Sequence, residues 1–313
     1  MLAAQDLAAL NRKVMEHLAE TWSDRVAVRK ERIDFSQYYD PNIPDFPIEI
    51  IPFAQDPEFR DVLGQLDPGA LFRFLSATWI AYNERVIFIE DDIVQPYCDI
   101  LRRNVLPGVD DPTVQQVIVQ TRVDEQFHTL MCLEVCNSAR ERHHLEDYVL
   151  PEPLLRRRLE DQLAGASELV DHALIRMAYA TVSETTIHDY LKKLSSIMTI
   201  QPLNRLHTEM HRRDESSHGM VFLEIARSIY SALDVPLKAR FTTYLTKALY
   251  DSVEIDMSFW ASTLPYLDSR NWSSFIERMQ GELGQKRIGR EYTGLVRLLD
   301  DLGISDEIEF AFG

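Results

Sequence analysis

The run Asp-Glu-x-x-His occurs twice in this chain, as Asp124, Glu125 and His128 and again as Asp214, Glu215 and His218, each inside a long stretch of helical hydrophobic periodicity. Residues three apart share one face of an α-helix, so each Glu and His can reach a single metal centre together. Two helices that must bring such faces to one point predict a helical bundle. A di-metal carboxylate bundle also needs one Glu from each of two further helices. Glu90 stands 35 residues before Glu125, and Glu184 stands 31 residues before Glu215. Either gap suits a helix, a short turn and a return along the next helix.

The rest of the chain fits that architecture. The first thirty residues read as an amphipathic helix, with Leu7, Leu10, Val14 and Leu18 at helical spacing. The passage PNIPDFPIEIIPFAQDP carries too many prolines for a regular helix and is expected to lie as a strap over the bundle. Long helices are predicted over about 68–104, from the Pro112 turn to about Arg142, over 166–198 and over 203–232, with a shorter one around 153–164. Two or three more helices are expected in 236–300. No strand alternation and no low-complexity linker appear, so the expectation is an all-α fold. A ferritin-like four-helix core at about 68–232 would belong to a single domain spanning 1–313, flanked by the N-terminal helix and strap (1–67) and by accessory helices (233–313).

A formal net charge of -17 provides no basic stripe for phosphates, which argues against nucleic acid or an anionic membrane as partner. No apolar run approaches the roughly 20 residues that span a bilayer. The uncharged stretch Phe74 to Asn83 is closed by Arg73 and Glu84. Three cysteines, Cys98, Cys132 and Cys136, form no CxxC pair and follow no signal peptide; a reducing, cytoplasmic setting and a core-packing role are expected.

Several individual residues can be weighed. Glu90 has Val86, Ile87, Ile93 and Val94 as its helical neighbours, so its face is expected to be buried, and a lone buried carboxylate costs several kcal/mol unless paired or coordinated. Glu184, among Ala180, Thr181, Ile187 and His188, is less decisive. Glu141 and His144 repeat the Glu-x-x-His spacing in the charged run RERHHLEDY and read as solvated surface. His211, four before Glu215 on the same face, would be a third imidazole ligand or a buried hydrogen-bonded histidine; spacing leaves both open. His207 continues the row, outside the ligand set. Asp124 and Asp214 are expected to orient the histidine of the opposite motif, Asp124 that of His218 and Asp214 that of His128. Oxygen-rich ligands with a few imidazoles suit iron, and a carboxylate-bridged iron pair can reduce dioxygen by two electrons in a site that excludes water.

With these ligands placed, TWIAYNERVIFIE, VDEQFH, SETTIHDYL and HRRDESSH together resemble the p-aminobenzoate N-oxygenase family of bacterial di-iron arylamine oxygenases, from about residue 68 to 300. The resemblance implies a two-iron centre held by Glu90, Glu125, His128, Glu184, His211, Glu215 and His218. It implies O2 as co-substrate and oxidation of an amine to a hydroxylamine, nitroso or nitro product through a peroxo di-ferric species, commonly in natural-product biosynthesis. It places Tyr82 near the substrate. Tyr190 departs from the family's Asn, and Arg290, with Arg287 close by, falls about where a substrate carboxylate is paired. The amine is then a small molecule or an aminoacyl group on a carrier protein, and electrons come from an external donor or from the substrate's own oxidation. A homodimer is expected. Other readings are a di-iron C–H hydroxylase or desaturase, a ferritin-like iron-storage protein, and a radical-generating subunit that would need Tyr179 or Tyr190 beside the metal.

Overall fold

The structure, a computed structural model, describes residues 4–26, 34–283 and 292–312. Helix α1 (Ala4–Arg25) precedes the proline-rich strap, which makes only short 3-10 turns before α2 (Pro57–Leu63). The long core helices follow as α3 (Pro68–Phe88), α4 (Gln95–Arg102) and α5 (Pro112–His143). Then come α6 (Leu154–Ala164), α7 (Leu169–Ser196) and α8 (Pro202–Ala232). Among the described residues, four helices, rather than two or three, occupy the accessory region: α9 (Val235–Val253), α10 (Met257–Thr263), α11 (Ser273–Leu283) and α12 (Thr293–Leu302). The described residues contain no strand, and the arrangement is all-α and ferritin-like.

Asp-Pro pairs start three of these helices. Asp56, Asp67 and Asp111 accept first-turn backbone N–H groups, and Pro57, Pro68 and Pro112 follow where an N–H would have no helical partner. The connection from α4 to α5 turns through Gly108, whose φ is +86°. A Cβ there would stand 2.7 Å from the carbonyl oxygen of Ser228 on α8, so the close approach of turn and helix requires glycine.

Helix α7 packs along α8, and α3 along α5, while α5 and α8 meet across the centre. Helix α1 lies over α5 and α8, and α9 covers α7. The strap is tied to the start of α8. Gln201 donates from Nε2 to the carbonyls of Asp40 and Ile43 at 2.8 and 2.9 Å, and Asn204 donates to the carbonyl of Asp45 at 2.8 Å.

The apolar core divides into two clusters, and the division locates the site. On α5, Val117 and Ile118 belong to one cluster and Cys132 and Val135 to the other. On α7 the change falls between Val182 and Leu191, on α8 between Leu203 and Val221, and on α3 between Val86 and Phe88. Each helix changes cluster at the level where its buried acids and histidines lie. A polar layer crosses the bundle between two hydrophobic ones.

Candidate metal centre

Glu90 does not sit in an ordinary helix. Between α3 and α4 the residues Ile89–Val94 form a π-helical segment, in which the backbone N–H of Gln95 donates to the carbonyl of Glu90. Such one-turn insertions recur at functional sites because they rotate one side chain without ending the helix. Sequence periodicity, which assumes 3.6 residues per turn, does not reveal it. The nearest local signal is the cluster Glu90, Asp91, Asp92 inside an apolar run.

The other residues come from regular helices. Glu125 and His128 project from α5, Glu184 from α7, and His211, Glu215 and His218 from one face of α8. Gly219 lets α8 approach α7 at this level: a Cβ there would lie 3.2 Å from the carbonyl oxygen of Glu184. All seven side chains are buried.

They converge. His128 Nδ1 lies 2.7 Å from Glu125 Oε2 and 3.2 Å from Glu215 Oε1. His218 Nδ1 lies 2.8 Å from Glu125 Oε1 and 3.3 Å from Glu215 Oε1. His211 Nε2 lies 3.1 Å from Glu215 Oε1 and 3.6 Å from Glu90 Oε1. Three overlapping groups each gather their ligand atoms within 4.8 Å of one another: Glu90, His128, His211 and Glu215; Glu125, His128, Glu215 and His218; and Glu90, Glu125 and Glu184. On the far side of two rings, Asp214 Oδ2 stands 3.4 Å from His128 Nε2 and Asp124 Oδ2 stands 3.4 Å from His218 Nε2, each carboxylate reaching across from the other motif.

The donor set fits metal ions. Glu90 Oε2, Glu184 Oε2 and Glu215 Oε2 are buried with no hydrogen-bond partner, and buried carboxylate oxygens are normally satisfied. Four carboxylates in one dry layer need cationic compensation. Burial pushes Glu90 and Glu184 well above the usual carboxylate range, and the neighbouring glutamates push them further. Burial also opposes ionisation of Glu215 and Glu125, but His218 and His128 outweigh it and hold both below that range. His128 and His218 rise well above the usual imidazole value, because their carboxylate partners outweigh the effect of burial. Protons thus balance the metal-free cluster, and two divalent ions would provide the same compensation with more charge.

The remaining sequence expectations have definite places. His207 lies outside the cluster, with Nε2 3.0 Å from Asn83 Oδ1, and burial holds its imidazole well below the usual value. Cys98, Cys132 and Cys136 are buried in the apolar clusters as free thiols. Glu141 and His144 are exposed at the end of α5. Tyr179 donates its hydroxyl to Asp251 at 2.5 Å, toward α9. Tyr190 packs on Tyr82 with ring centroids 5.6 Å apart. Arg287 and Arg290 lie outside the described residues.

Beside Glu90 and Glu184 is a cavity of about 180 Å³, lined by Tyr82, Arg85, Ile187, Tyr190, Phe259 and Trp260 among others. The buried Tyr82 hydroxyl has no hydrogen-bond partner, and burial raises its pKa well above the usual phenol value, so it is a neutral donor facing a mostly apolar space. Arg85 escaped the sequence reading although it stands three after Tyr82, on the same helical face. Phe259 and Trp260 come from α10, too far along the chain for any local pattern to link them to the site.

No helix among the described residues is long and apolar enough to cross a membrane. A family model described as P-aminobenzoate N-oxygenase AurF matches residues 9–303. The 4-aminobenzoate N-oxygenase of Streptomyces thioluteus is 32% identical over 298 residues, covering 94% of this chain and 88% of that protein. The chain belongs to the p-aminobenzoate N-oxygenase family and is an oxygenase.

Proposed function

We propose that this enzyme uses a di-iron centre and O2 to oxidise the nitrogen of a small primary amine, an arylamine first among them, to a hydroxylamine, nitroso or nitro product. Glu90, Glu125, His128, Glu184, His211, Glu215 and His218 hold the two ions, and Asp124 and Asp214 fix the imidazoles of His218 and His128. The observation that carries this reading is the convergence of four glutamates and three histidines in one buried layer, next to a cavity of ligand size. The whole chain serves this one centre, since the apolar clusters on both sides of the layer seal it. A cytoplasmic setting, an external electron donor and a homodimer belong to the same reading.

Two bound irons supply the capacity to activate O2 and transfer oxygen to the amine nitrogen. The protein's own residues do the rest. The cavity admits a flat small molecule, since cavities of about 150 Å³ hold a benzene ring. Tyr82 offers its hydroxyl to a polar substituent, the Tyr82–Tyr190 pair offers aromatic faces, and Arg85, also in the lining, suits an anionic group. An amine oriented this way presents its nitrogen toward Glu90 and Glu184. The apolar layers above and below exclude water, so that oxidant and amine meet without solvent. The departure at Tyr190 from the family's Asn removes an amide donor and adds a ring, which favours a substrate less dependent on a carboxylate. A carrier-bound aminoacyl group would need only its amine end within the cavity.

The test is to load the protein with ferrous iron, quantify iron per chain, then reduce it, add O2 and screen a panel of aryl and aliphatic amines by mass for added oxygen. Two irons per chain with oxygen on nitrogen is the expected result. Two irons with turnover only at carbon would replace N-oxygenation by C–H hydroxylation, and a chain that binds no iron would end the proposal.

A further inference from the structure

Two imidazoles of the metal layer have a carboxylate behind them, Asp124 behind His218 and Asp214 behind His128, and each Nε2–Oδ2 distance is 3.4 Å. From the last turn of α1, the indole Nε1–H of Trp22 donates to Asp124 Oδ2 at 2.8 Å, the same oxygen that faces His218. A half-buried indole is free to send its N–H to water, yet this one turns it inward to a fully buried carboxylate. An indole has a single N–H. That bond is committed to Asp124, so what it does reaches His218 and not His128.

Helix α1 holds the indole in place. Trp22 follows Leu18 by four residues and Met15 by seven, so it shares their buried face, which α1 turns toward α5 and α8. Gln120 of α5 donates from Nε2 to the carbonyl of Ala19 at 3.2 Å and fixes the helix at this level. Arg25, three residues beyond Trp22, brings its guanidinium into the field of both Asp124 and Asp214. The cation acts on both carboxylates, whereas the directed bond of the indole goes to one.

Direction matters at this oxygen. His218 Nδ1 faces the layer, 2.8 Å from Glu125 Oε1 and 3.3 Å from Glu215 Oε1. To bind a metal through Nδ1 the ring must carry its proton on Nε2 and donate it outward. A carboxylate can rotate about its Cβ–Cγ bond, and rotation would carry Oδ2 away from Nε2. A second donor on Oδ2 opposes that rotation. His218 belongs with Glu125, His128 and Glu215 in one group of candidate ligands, whereas Glu90 and His211 belong to another. We propose that Trp22 is a positioning residue for one of the two metal positions, the one His218 serves, and that it acts by fixing the Asp124 carboxylate. This inference rests on the di-iron reading above.

The experiment is a stepwise anaerobic titration of the full-length, metal-free protein with Co2+, whose visible absorption bands report ligand geometry, with affinities from calorimetry. Trp22→Phe keeps an aromatic ring but loses the N–H. It should weaken one of the two affinities about tenfold, the scale seen for groups that stand behind metal ligands, and leave the other within about twofold. The absorption bands of the weakened position alone should shift. His211→Ala should weaken the other position, which tells the two apart. In an Asp124→Ala background, where the indole has no oxygen to hold, Trp22→Phe should add less than about twofold. Three results would overturn the proposal: both affinities weakened alike by Trp22→Phe, which marks a packing role; neither weakened; or the same tenfold loss with Asp124 gone. If Trp22→Phe does not fold, 3-benzothienylalanine at position 22, which keeps the shape of the indole and lacks its N–H, gives the deciding titration. A parent protein that binds no metal overturns the di-iron reading and this inference with it, whereas a parent with two ions that ignore Trp22 overturns this inference alone.

Discussion

Removing metal should make the stability of this protein strongly pH-dependent in a direction opposite to ordinary acid denaturation. In the metal-free fold Glu90 and Glu184 are held well above the usual carboxylate range by burial and by the other glutamates. A carboxyl whose folded pKa is raised binds its proton more tightly in the folded chain than in the unfolded one. Its contribution is complete below the unfolded value and is lost as pH rises toward the folded value. His128 and His218, raised well above the usual imidazole value against the effect of burial, act in the same sense at higher pH. Glu125 and Glu215 are depressed and contribute in the opposite sense, but only in acid, because above the unfolded carboxylate range both are ionised in either state.

Each proton held only by the folded state tilts stability by about 1.4 kcal/mol per pH unit. Glu90 and Glu184 both tilt stability this way, over the range between the unfolded carboxylate pKa and their raised folded values. Domains of ordinary stability have only about 5–15 kcal/mol in total, so the effect is large. Metal ions displace those protons, so the loaded protein escapes the loss, and its binding tightens as pH rises. The assay is urea unfolding of chelator-treated and anaerobically iron-loaded protein across about pH 6 to about pH 8.5. The metal-free curve should fall while the loaded curve stays level, with the gap widening steadily. A metal-free protein whose stability is flat or rising with pH would refute the protonated-carboxylate account, and identical curves with and without iron would refute the metal site itself.

Substitutions test the site's parts one at a time. His211→Ala should leave a folded protein whose iron affinity is weakened by at least about tenfold, a loss of the size seen even for groups behind the ligands, as read by competition with a chelator. Gly219→Val puts branched carbon against the Glu184 carbonyl and should cost about 1–3 kcal/mol by overpacking, lowering both the melting temperature and iron content, whereas Gly281, with open space around it, should accept Val at only the small helix-propensity effect. Arg85→Ala should weaken binding of an anionic arylamine by about tenfold and spare a neutral one. The same titration with Arg290→Ala decides between the two cations, since no effect of either on any anionic amine would exclude a carboxylate-bearing substrate from this cavity.

What the sequence made legible and what it hid follow from the range of the interactions involved. Glu125 with His128 and Glu215 with His218 are pairs within one helical turn, and helix periodicity alone puts each pair on a common face. The starts of α5 and α8 were readable from Asp111-Pro112 and Pro202, and the apolar repeat carries these helices and α7 through. Glu90 was readable as buried from its apolar neighbours, but its backbone was not. A π-turn is selected by tertiary demand, here the need to turn a carboxylate inward from α3 toward α5 and α8, and leaves no propensity signal in Ile89–Val94. The cavity was hidden for the same reason: its walls bring α3, α7 and α10 together across the chain, and Phe259 and Trp260 lie far from every motif. Trp22 lay farthest from view, since its bond to Asp124 spans 102 residues and joins a helix read only as amphipathic to the core of the metal layer. Local chemistry dictates which residues can hold metal, whereas long-range packing dictates which side chains surround them.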